Sequence, residues 1–361
     1  MDNERGYKLE MQIADKLAHY IQNTLWSNVT FVNYLLLPFS LLYSLLRNFR
    51  YYFFQTPQQF QSKIICVGNS VSGGAGKTPV VMSLLELLGK EKKIAVVARG
   101  YKGSLSNSQK AIKVDLEKHT YKEVGDEAML IATYADIFIS ANRKLAIKQA
   151  QDWGAEIIIL DDGFHDNTVH KDLAILVISY LDIKNKFLIP AGPMRESLAT
   201  SLRKADIVIV PKNQKYVIPK KYLTGKKIFK QKQVINNAKQ IKGKDYILLC
   251  AIAQPERVIL TAEEVGARIK KSYIYPDHYD FPHEELEKIY MEAKKHGYKV
   301  LTTKKDYVRL PQKYAEKTVV LKYHIKLEGE EKLGEKMSLA RYSIFHKSLD
   351  KGRKKVRNEK V

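Results

Sequence analysis

The run KIICVGNSVSGGAGKTPVV, residues 63–81, constrains the fold more than any other feature of the chain. An apolar strand runs into a glycine-rich turn, and Lys-Thr then opens a helix. Such a strand–loop–helix is built to hold a triphosphate. Glycines let backbone N–H groups converge on oxyanions, and the helix N-terminus adds positive potential. Lys77 can reach the β and γ phosphates, and the Thr78 hydroxyl can ligate Mg²⁺. Ser72, Gly73, Gly74, Ala75, Gly76, Lys77 and Thr78 are therefore the nucleotide-site candidates. The usual pattern places a glycine at position 71, where this chain has Val71.

Around that loop the chain alternates short apolar runs with helical lengths: KIICVG (63–68), KIAVVA (93–98), ADIFIS (135–140), AEIIILDD (155–162), LAILVI (173–178) and ADIVIV (205–210). This pattern predicts a P-loop NTPase-like α/β fold, a mainly parallel sheet with helices on both faces. A smaller α/β lobe is expected further on, from YILLCAIA (246–253), a helix around 255–265, a strand near 268–274, a helix across 283–296, KVLTT (299–303) and TVVLKY (318–323). Residues 212–244 hold 11 Lys and no acid, which suggests a domain junction with a solvated surface. The expected divisions are an N-terminal helical segment at 1–55, a P-loop core at 56–235, a C-terminal lobe at 236–345 and a basic tail at 346–361.

The N-terminal segment has its own signature. No Asp, Glu, Lys or Arg occurs from Leu17 to Leu46, and VTFVNYLLLPFSLLYSLL (29–46) is Leu-rich. Arg47, Arg50 and a cluster of aromatics follow at once. The stretch barely reaches spanning length, and Asn28, Thr30, Asn33 and Pro38 dilute it. A membrane-associated helix lying in the interface, a single span and a buried core helix all fit. With 61 Lys and Arg against 39 Asp and Glu, the chain carries a net charge of +22 and should attract phosphorylated ligands or an anionic membrane. No secretory signal is visible. The two cysteines, Cys66 and Cys250, sit in apolar runs and read as buried strand thiols, which excludes a disulfide scaffold. No histidine spacing suits zinc.

Several further motifs can carry chemistry. Asp161 and Asp162 stand at the end of AEIIILDD, where carboxylates beside a P-loop can hold Mg²⁺; a turn-capping pair is the structural alternative. Asp126 and Glu127 of VGDEAML open a helix, and an N-cap reading is open for Asp126. In LIPAGPMRESL, a rigid turn presents Arg195 and Glu196; Arg suits bidentate phosphate contact. YPDHYDF places His278 beside Asp277, and His is the usual proton-transfer residue near neutral pH.

Taken together, LLPFSLLY, VGNSVSGGAGKTP, ARGYKG (98–103), VGDEAMLIA (124–132), DDGF, PAGPMRESL with RKADIVIV, PER (255–257), PDHYDF and TTKKD (302–306) resemble the tetraacyldisaccharide 4′-kinase family, the lipid A 4′-kinases, from about Leu35 to Arg309. The resemblance implies a membrane-associated enzyme on the cytoplasmic face of the bacterial inner membrane. It implies transfer of the ATP γ-phosphate to the 4′-hydroxyl of a tetraacyldisaccharide 1-phosphate, a lipid A precursor, with ATP and Mg²⁺ as cofactors. Carried onto this chain, it makes Asp126 the general base, assisted by His278 from the second lobe, with Lys77 stabilising charge. Thr78, Glu127, Asp161 and Asp162 become Mg²⁺-site candidates. Arg143, Arg195, Glu196 and Asn69 become candidates for phosphate, headgroup or other substrate contacts.

Two departures stand out. His165 replaces the Gln common after DDGF, and Asp166 follows where His or Asn is usual. The segment 1–20 also looks longer than usual. A P-loop ATPase switch shares the GGxGKT loop but needs no acceptor base, so PAGPMRE and the Asp-His pair disfavour it. A nucleic-acid-binding protein is disfavoured by the absence of a helix-turn-helix or RNP pattern. The expected partners are therefore the lipid precursor and anionic membrane lipids, with no nucleic acid and no obligate protein partner.

Overall fold

The computed structural model of the protein describes residues 21, 26, 28–54, 56–72, 76–89, 93–178, 185–212 and 224–329. Gly73, Gly74 and Ala75 of the phosphate loop, the segment 1–20 and the basic tail 346–361 lie outside the described residues.

In chain order the strands are β1 (Lys63–Gly68), β2 (Ile94–Ala98), β3 (Ile112–Lys113), β4 (Asp136–Ile139), β5 (Ile157–Asp161), β6 (Leu173–Val177), β7 (Ile207–Pro211), β8 (Lys227–Ile235), β9 (Asp245–Cys250), β10 (Arg268–Ile274), β11 (Lys299–Thr303), β12 (Thr318–Leu321) and β13 (Tyr323–Leu327). The helices used below are α1 (Phe31–Leu35), α2 (Leu37–Phe54), α3 (Lys77–Leu88), α4 (Asp126–Ala132), α5 (Arg143–Asp152), α6 (Leu198–Lys204), α7 (Pro255–Glu264), α8 (His283–His296) and α9 (Lys304–Tyr307).

The larger sheet runs β13-β8-β7-β6-β1-β5-β2-β4-β3. It is parallel except at its edges, where β3 pairs antiparallel with β4 and β13 antiparallel with β8. β1 lies between β5 and β6, with Cys66 opposite Leu160 and Ala174. Its residues alternate between two cores. Ile65 and Val67 join Ile159 and Ile175 under Val80, Val81 and Leu84 of α3 and Ile131 of α4. Ile64 and Cys66 join Ile158 and Leu160 under Ala146, Ile147 and Ala150 of α5 and Leu202 of α6. Helices on both faces explain why these strands read as unbroken apolar runs rather than alternating ones. Each fully buried Ile, Leu or Val contributes roughly 1.5–3 kcal/mol.

The second sheet, β10-β9-β11-β12, is parallel throughout. Its faces pack on α8 through Leu286, Ile289 and Ala293, and on α7 through Val258 and Ala262. Both cysteines are fully buried strand thiols, as expected.

The Lys-rich region holds a strand that its composition did not announce: β8, in the larger sheet, whose only buried residue is Phe229. The run TVVLKY is likewise two elements: β12 ends at Leu321, and Tyr323 begins β13, which returns to the larger sheet and pairs Leu327 with Gln231. The chain therefore crosses between the lobes twice.

The N-terminal stretch also departs from a continuous span. Leu36 separates α1 from α2, and Pro38 sits in the first turn of α2, where its missing N–H costs nothing. Among the described residues, no helix is long and apolar enough to cross a membrane. Asn33 is fully buried and donates through Nδ2 to Ala191 O at 2.7 Å. Ser40 donates to Leu188 O at 2.8 Å, Tyr43 to Arg195 O at 3.1 Å and Arg47 to the same carbonyl at 2.9 Å. The polar side of these helices thus docks on the PAGPMRE loop. Leu35, Phe39, Leu42, Leu46, Phe49 and Phe53 face outward and are exposed.

Candidate active site

The site lies in a cleft of about 1240 Å³ between the lobes, at the C-terminal ends of β1, β5 and β11, where ligands of parallel sheets gather. Gly76 adopts φ 75° and caps α3, so Lys77 and Thr78 open the helix. Lys77 Nζ stands 3.1 Å from Asn69 Oδ1 and 3.3 Å from Asp162 Oδ1. Thr78 Oγ1 donates to Asp161 Oδ2 at 3.4 Å. Val71, in place of the usual glycine, is fully buried and forms a backbone bridge to Met194. Ser72 N donates to Pro193 O at 2.7 Å, and Arg195 N to Ser70 O at 2.8 Å. The PAGPMRE loop therefore braces the phosphate loop, and a side chain at 71 serves that packing.

DDGF forms the next wall. Asp162 is left-handed at φ 54°, an uncommon conformation for a non-glycine residue and one that clusters at functional sites. Phe164 is buried directly over Gly68, where any Cβ would overlap it. Burial, with the neighbouring Glu127 charge adding to it, pushes the Asp161 carboxyl up to about 7. Its Oδ1 is buried without a hydrogen-bond partner. Burial also opposes charge on Asp162, yet Lys77, Arg195 and Arg143 outweigh it and hold the group down at about 2. Arg195 reaches Asp162 Oδ2 at 3.2 Å, and Arg143 donates to Asp162 O at 2.8 Å and pairs with Asp166 at 3.4 Å.

The GDE segment faces the second lobe. Gly125, at φ 89°, is the N-cap; a Cβ there would stand 2.6 Å from Tyr101 O. Asp126 is therefore the first residue inside α4 and not its cap. Its Oδ1 accepts from Glu127 N at 2.8 Å, and its Oδ2 lies 2.8 Å from His278 Nδ1. Burial opposes its charge, but His278, Lys305 and Arg309 outweigh that and hold it well below the usual carboxylate range. His278 is itself left-handed, at φ 65°, with the Tyr101 ring edge-on at 5.5 Å. Lys305 Nζ lies 3.1 Å from His278 Nε2, 3.2 Å from Asp277 Oδ1 and 3.4 Å from Glu127 Oε1. Arg309 Nε stands 3.7 Å from Asp126 Oδ2.

Most of the described candidates line one cleft, Asp126 is buried behind His278 at its edge, and two expectations need correction. Asn69 is fully buried with its amide oxygen on Lys77, so it sets the lysine and does not meet a substrate. Glu196 is 1% exposed and ringed by Lys204 at 2.7 Å, Arg47 at 3.3 Å and Ser201 at 2.8 Å, which makes it a structural node. Arg195 and Arg143 line the cleft. Lys305 and Arg309 were missed as site residues; TTKKD was legible as a motif, but nothing in a Lys-rich chain marked which lysine turns inward.

Asp161, Glu127 and Thr78 offer oxygens only, and the partnerless Asp161 Oδ1 suits a hard cation. Asp162 has its charge met by Lys77 and Arg195. Among the described residues, no three His, Cys, Asp or Glu side chains are assembled as a metal cage.

A P-loop facing a carboxylate–imidazole pair across a cleft defines a P-loop phosphotransferase with a hydroxyl-type acceptor. The family described as tetraacyldisaccharide-1-P 4′-kinase (LpxK) matches residues 32–340. Tetraacyldisaccharide 4′-kinase of Rickettsia bellii is 34% identical over 287 residues, covering 79% of this chain and 88% of that protein. The protein of the same name from Rickettsia canadensis is 35% identical over 289 residues, covering 79% and 86%. A crystal structure of the apo form of LpxK from Aquifex aeolicus in complex with ATP superposes with a TM-score of 0.70 at 30% identity, covering 86% of this chain and all of that one. The chain belongs to the tetraacyldisaccharide 4′-kinase family.

Proposed function

We propose that this protein transfers the γ-phosphate of ATP to the 4′-hydroxyl of a tetraacyldisaccharide 1-phosphate in lipid A biosynthesis. The observation that carries this reading is the Asp126–His278 pair, 2.8 Å apart across the lobes, with Asp126 buried behind His278 and Glu127, which line the same cleft as Lys77, Thr78 and Asp161. Phosphoryl transfer requires in-line placement, charge neutralisation and a base within reach of the acceptor hydroxyl. Lys77 exchanges Asp162 for the phosphate oxygens. Thr78, Asp161 and Glu127 are the residues that would hold Mg²⁺, which neutralises charge on the β- and γ-phosphates. Asp126 accepts the 4′-hydroxyl proton, and His278 orients the carboxylate. Arg195 and Arg143 hold the DDGF turn and offer their remaining donors to phosphate.

The substrate class accounts for the N-terminal helices. A tetraacyl lipid stays in the bilayer, since each buried CH₂ is worth about 0.8 kcal/mol. The outward apolar face of α1 and α2 lies in the membrane interface, and the basic surface adds attraction to anionic lipids. The protein works at the cytoplasmic face of the bacterial inner membrane. Incubation with γ-labelled ATP, Mg²⁺ and the disaccharide 1-phosphate lipid tests the reading. Label appears in the lipid; ATP hydrolysis with no labelled lipid would overturn it in favour of an ATPase switch.

A further inference from the structure

Lys305 belongs to none of the roles above, yet it touches both lobes of the site. It opens no exposed surface: its side chain is 19% exposed, and its ammonium lies among Glu127 of α4, Asp277 and His278. The carboxylates of Glu127 and Asp277, at 3.4 and 3.2 Å, match its charge. An ammonium has three N–H donors and no acceptor. In the 3.1 Å contact Nε2 of His278 is therefore the accepting, unprotonated nitrogen; Asp277 Oδ2, the acceptor a protonated Nε2 would need, stands farther off at 3.6 Å. The ring proton must then sit on Nδ1 and point at Asp126 Oδ2, 2.8 Å away. A backbone at φ 65° aims this ring, and the Tyr101 edge limits its rotation.

We propose that Lys305 is a positioning residue that fixes the His278 tautomer and orientation, holding the Nδ1 proton on Asp126. Its contact to Glu127 also ties this arrangement to the opposing lobe, so the pair is set only when α4 and the second lobe are together. Without Lys305, Nε2 is free to carry the proton and Nδ1 no longer donates to Asp126. A histidine in the wrong tautomer keeps its place but loses its function. The proposal rests on Asp126 and His278 acting as the proton-handling pair, and the test separates the two ideas.

The experiment compares Lys305→Met and Lys305→Arg, each alone and with His278→Ala, in the full-length kinase with the tetraacyldisaccharide lipid. Lys305→Met lowers kcat by about 10²-fold while KM for ATP stays within about twofold. Lys305→Arg keeps a fixed donor and restores much of the loss. In the His278→Ala background, Lys305→Met costs almost nothing further, because the two residues act as a unit. Nitrogen NMR of His278 reads the tautomer without catalysis: Nδ1 is protonated and Nε2 bare in the wild type. A wild-type spectrum with protonated Nε2 overturns the proposal, and so does an equal loss from Lys305→Met in both backgrounds. If Lys305→Met does not fold, the wild-type spectrum decides alone. Unchanged kcat in His278→Ala alongside the expected spectrum would instead remove the catalytic role of the pair, and with it the role of Lys305.

Discussion

His165 offers a sharp physical test, because it is a buried histidine where the family commonly has an amide. Its Nε2 lies 2.7 Å from Asn69 O, which can only accept, so Nε2 carries the proton; Nδ1 faces Glu196 Oε1 at 3.6 Å. Burial pulls the imidazole down from 6.5 to about 4, with Glu196 opposing. The folded value lies below the unfolded one, so the unfolded chain takes up the proton first. The stabilisation is therefore complete above about pH 6.5 and is lost as pH falls toward 4. At pH 5 the unfolded imidazole is mostly charged and the folded one mostly neutral; 1.5 units at 1.36 kcal/mol each predict a loss of about 2 kcal/mol relative to neutral pH. His165→Gln can donate the same bond to Asn69 O but cannot titrate. Other carboxylates titrate in both proteins, so most of their effect cancels in the difference. Urea unfolding at pH 7 and pH 5, followed by the fluorescence of Trp153 against the Phe138 core, measures it. The wild type should lose about 2 kcal/mol more than the variant over that interval. Equal losses would refute the reasoning and put His165 in contact with solvent.

Lys77→Ala removes charge stabilisation at the transferring phosphate, and kcat for lipid phosphorylation should fall by roughly 10²-fold or more. Asp126→Asn should lower kcat by about 10²–10⁴-fold with nucleotide affinity near wild type; near-normal turnover would send the search for the base to Asp161. Gly125→Ala must meet Tyr101 O at 2.6 Å from φ 89°, so thermal unfolding should show a loss of about 1 kcal/mol or more. Deleting residues 1–54 should release the protein from vesicles at high salt; quantitative sedimentation of the truncated chain would place the anchor elsewhere.

The larger sheet was legible because its central strands are buried on both faces, so KIICVG and AEIIILDD announce themselves as apolar runs. β8 was not legible. Its sequence KIFKQKQVI buries only Phe229, and the pattern that marks a strand is absent. β13 was hidden for another reason: it follows β12 across a single residue, Lys322, and no composition change marks a return to a different sheet. At the site, motif residues were legible as chemistry but not as partners. GDE and PDH lie 152 residues apart, and only the folded lobes bring Asp126 to His278. The cap reading of Asp126 was reasonable from sequence, since an acidic residue opens a helix there. Gly125 takes the cap position instead, and that frees the carboxylate to face the second lobe.

The N-terminal helices show how a sequence reading can have the right residues on the wrong side. Asn33 diluted a would-be span, and in the folded protein it is a docking group, as is Ser40; the two are joined to the carbonyls of Ala191 and Leu188. Burying polar groups is favourable only when each finds its partner, and the PAGPMRE loop supplies those partners. The consequence reaches the nucleotide. Arg47 of α2 pairs with Glu196 at 3.3 Å, Glu196 faces His165, His165 holds Asn69 O, and Asn69 Oδ1 accepts from Lys77. A continuous chain of polar contacts therefore runs from the helix with the exposed apolar face to the phosphate-loop lysine. Such a chain establishes proximity and not coupling, which requires an element with two arrangements. A double-mutant cycle between Arg47→Met and His165→Gln, read as KM for ATP with and without vesicles, decides whether α2 and Lys77 share one. Additive effects would mean that the helix positions the enzyme and leaves the phosphate loop untouched.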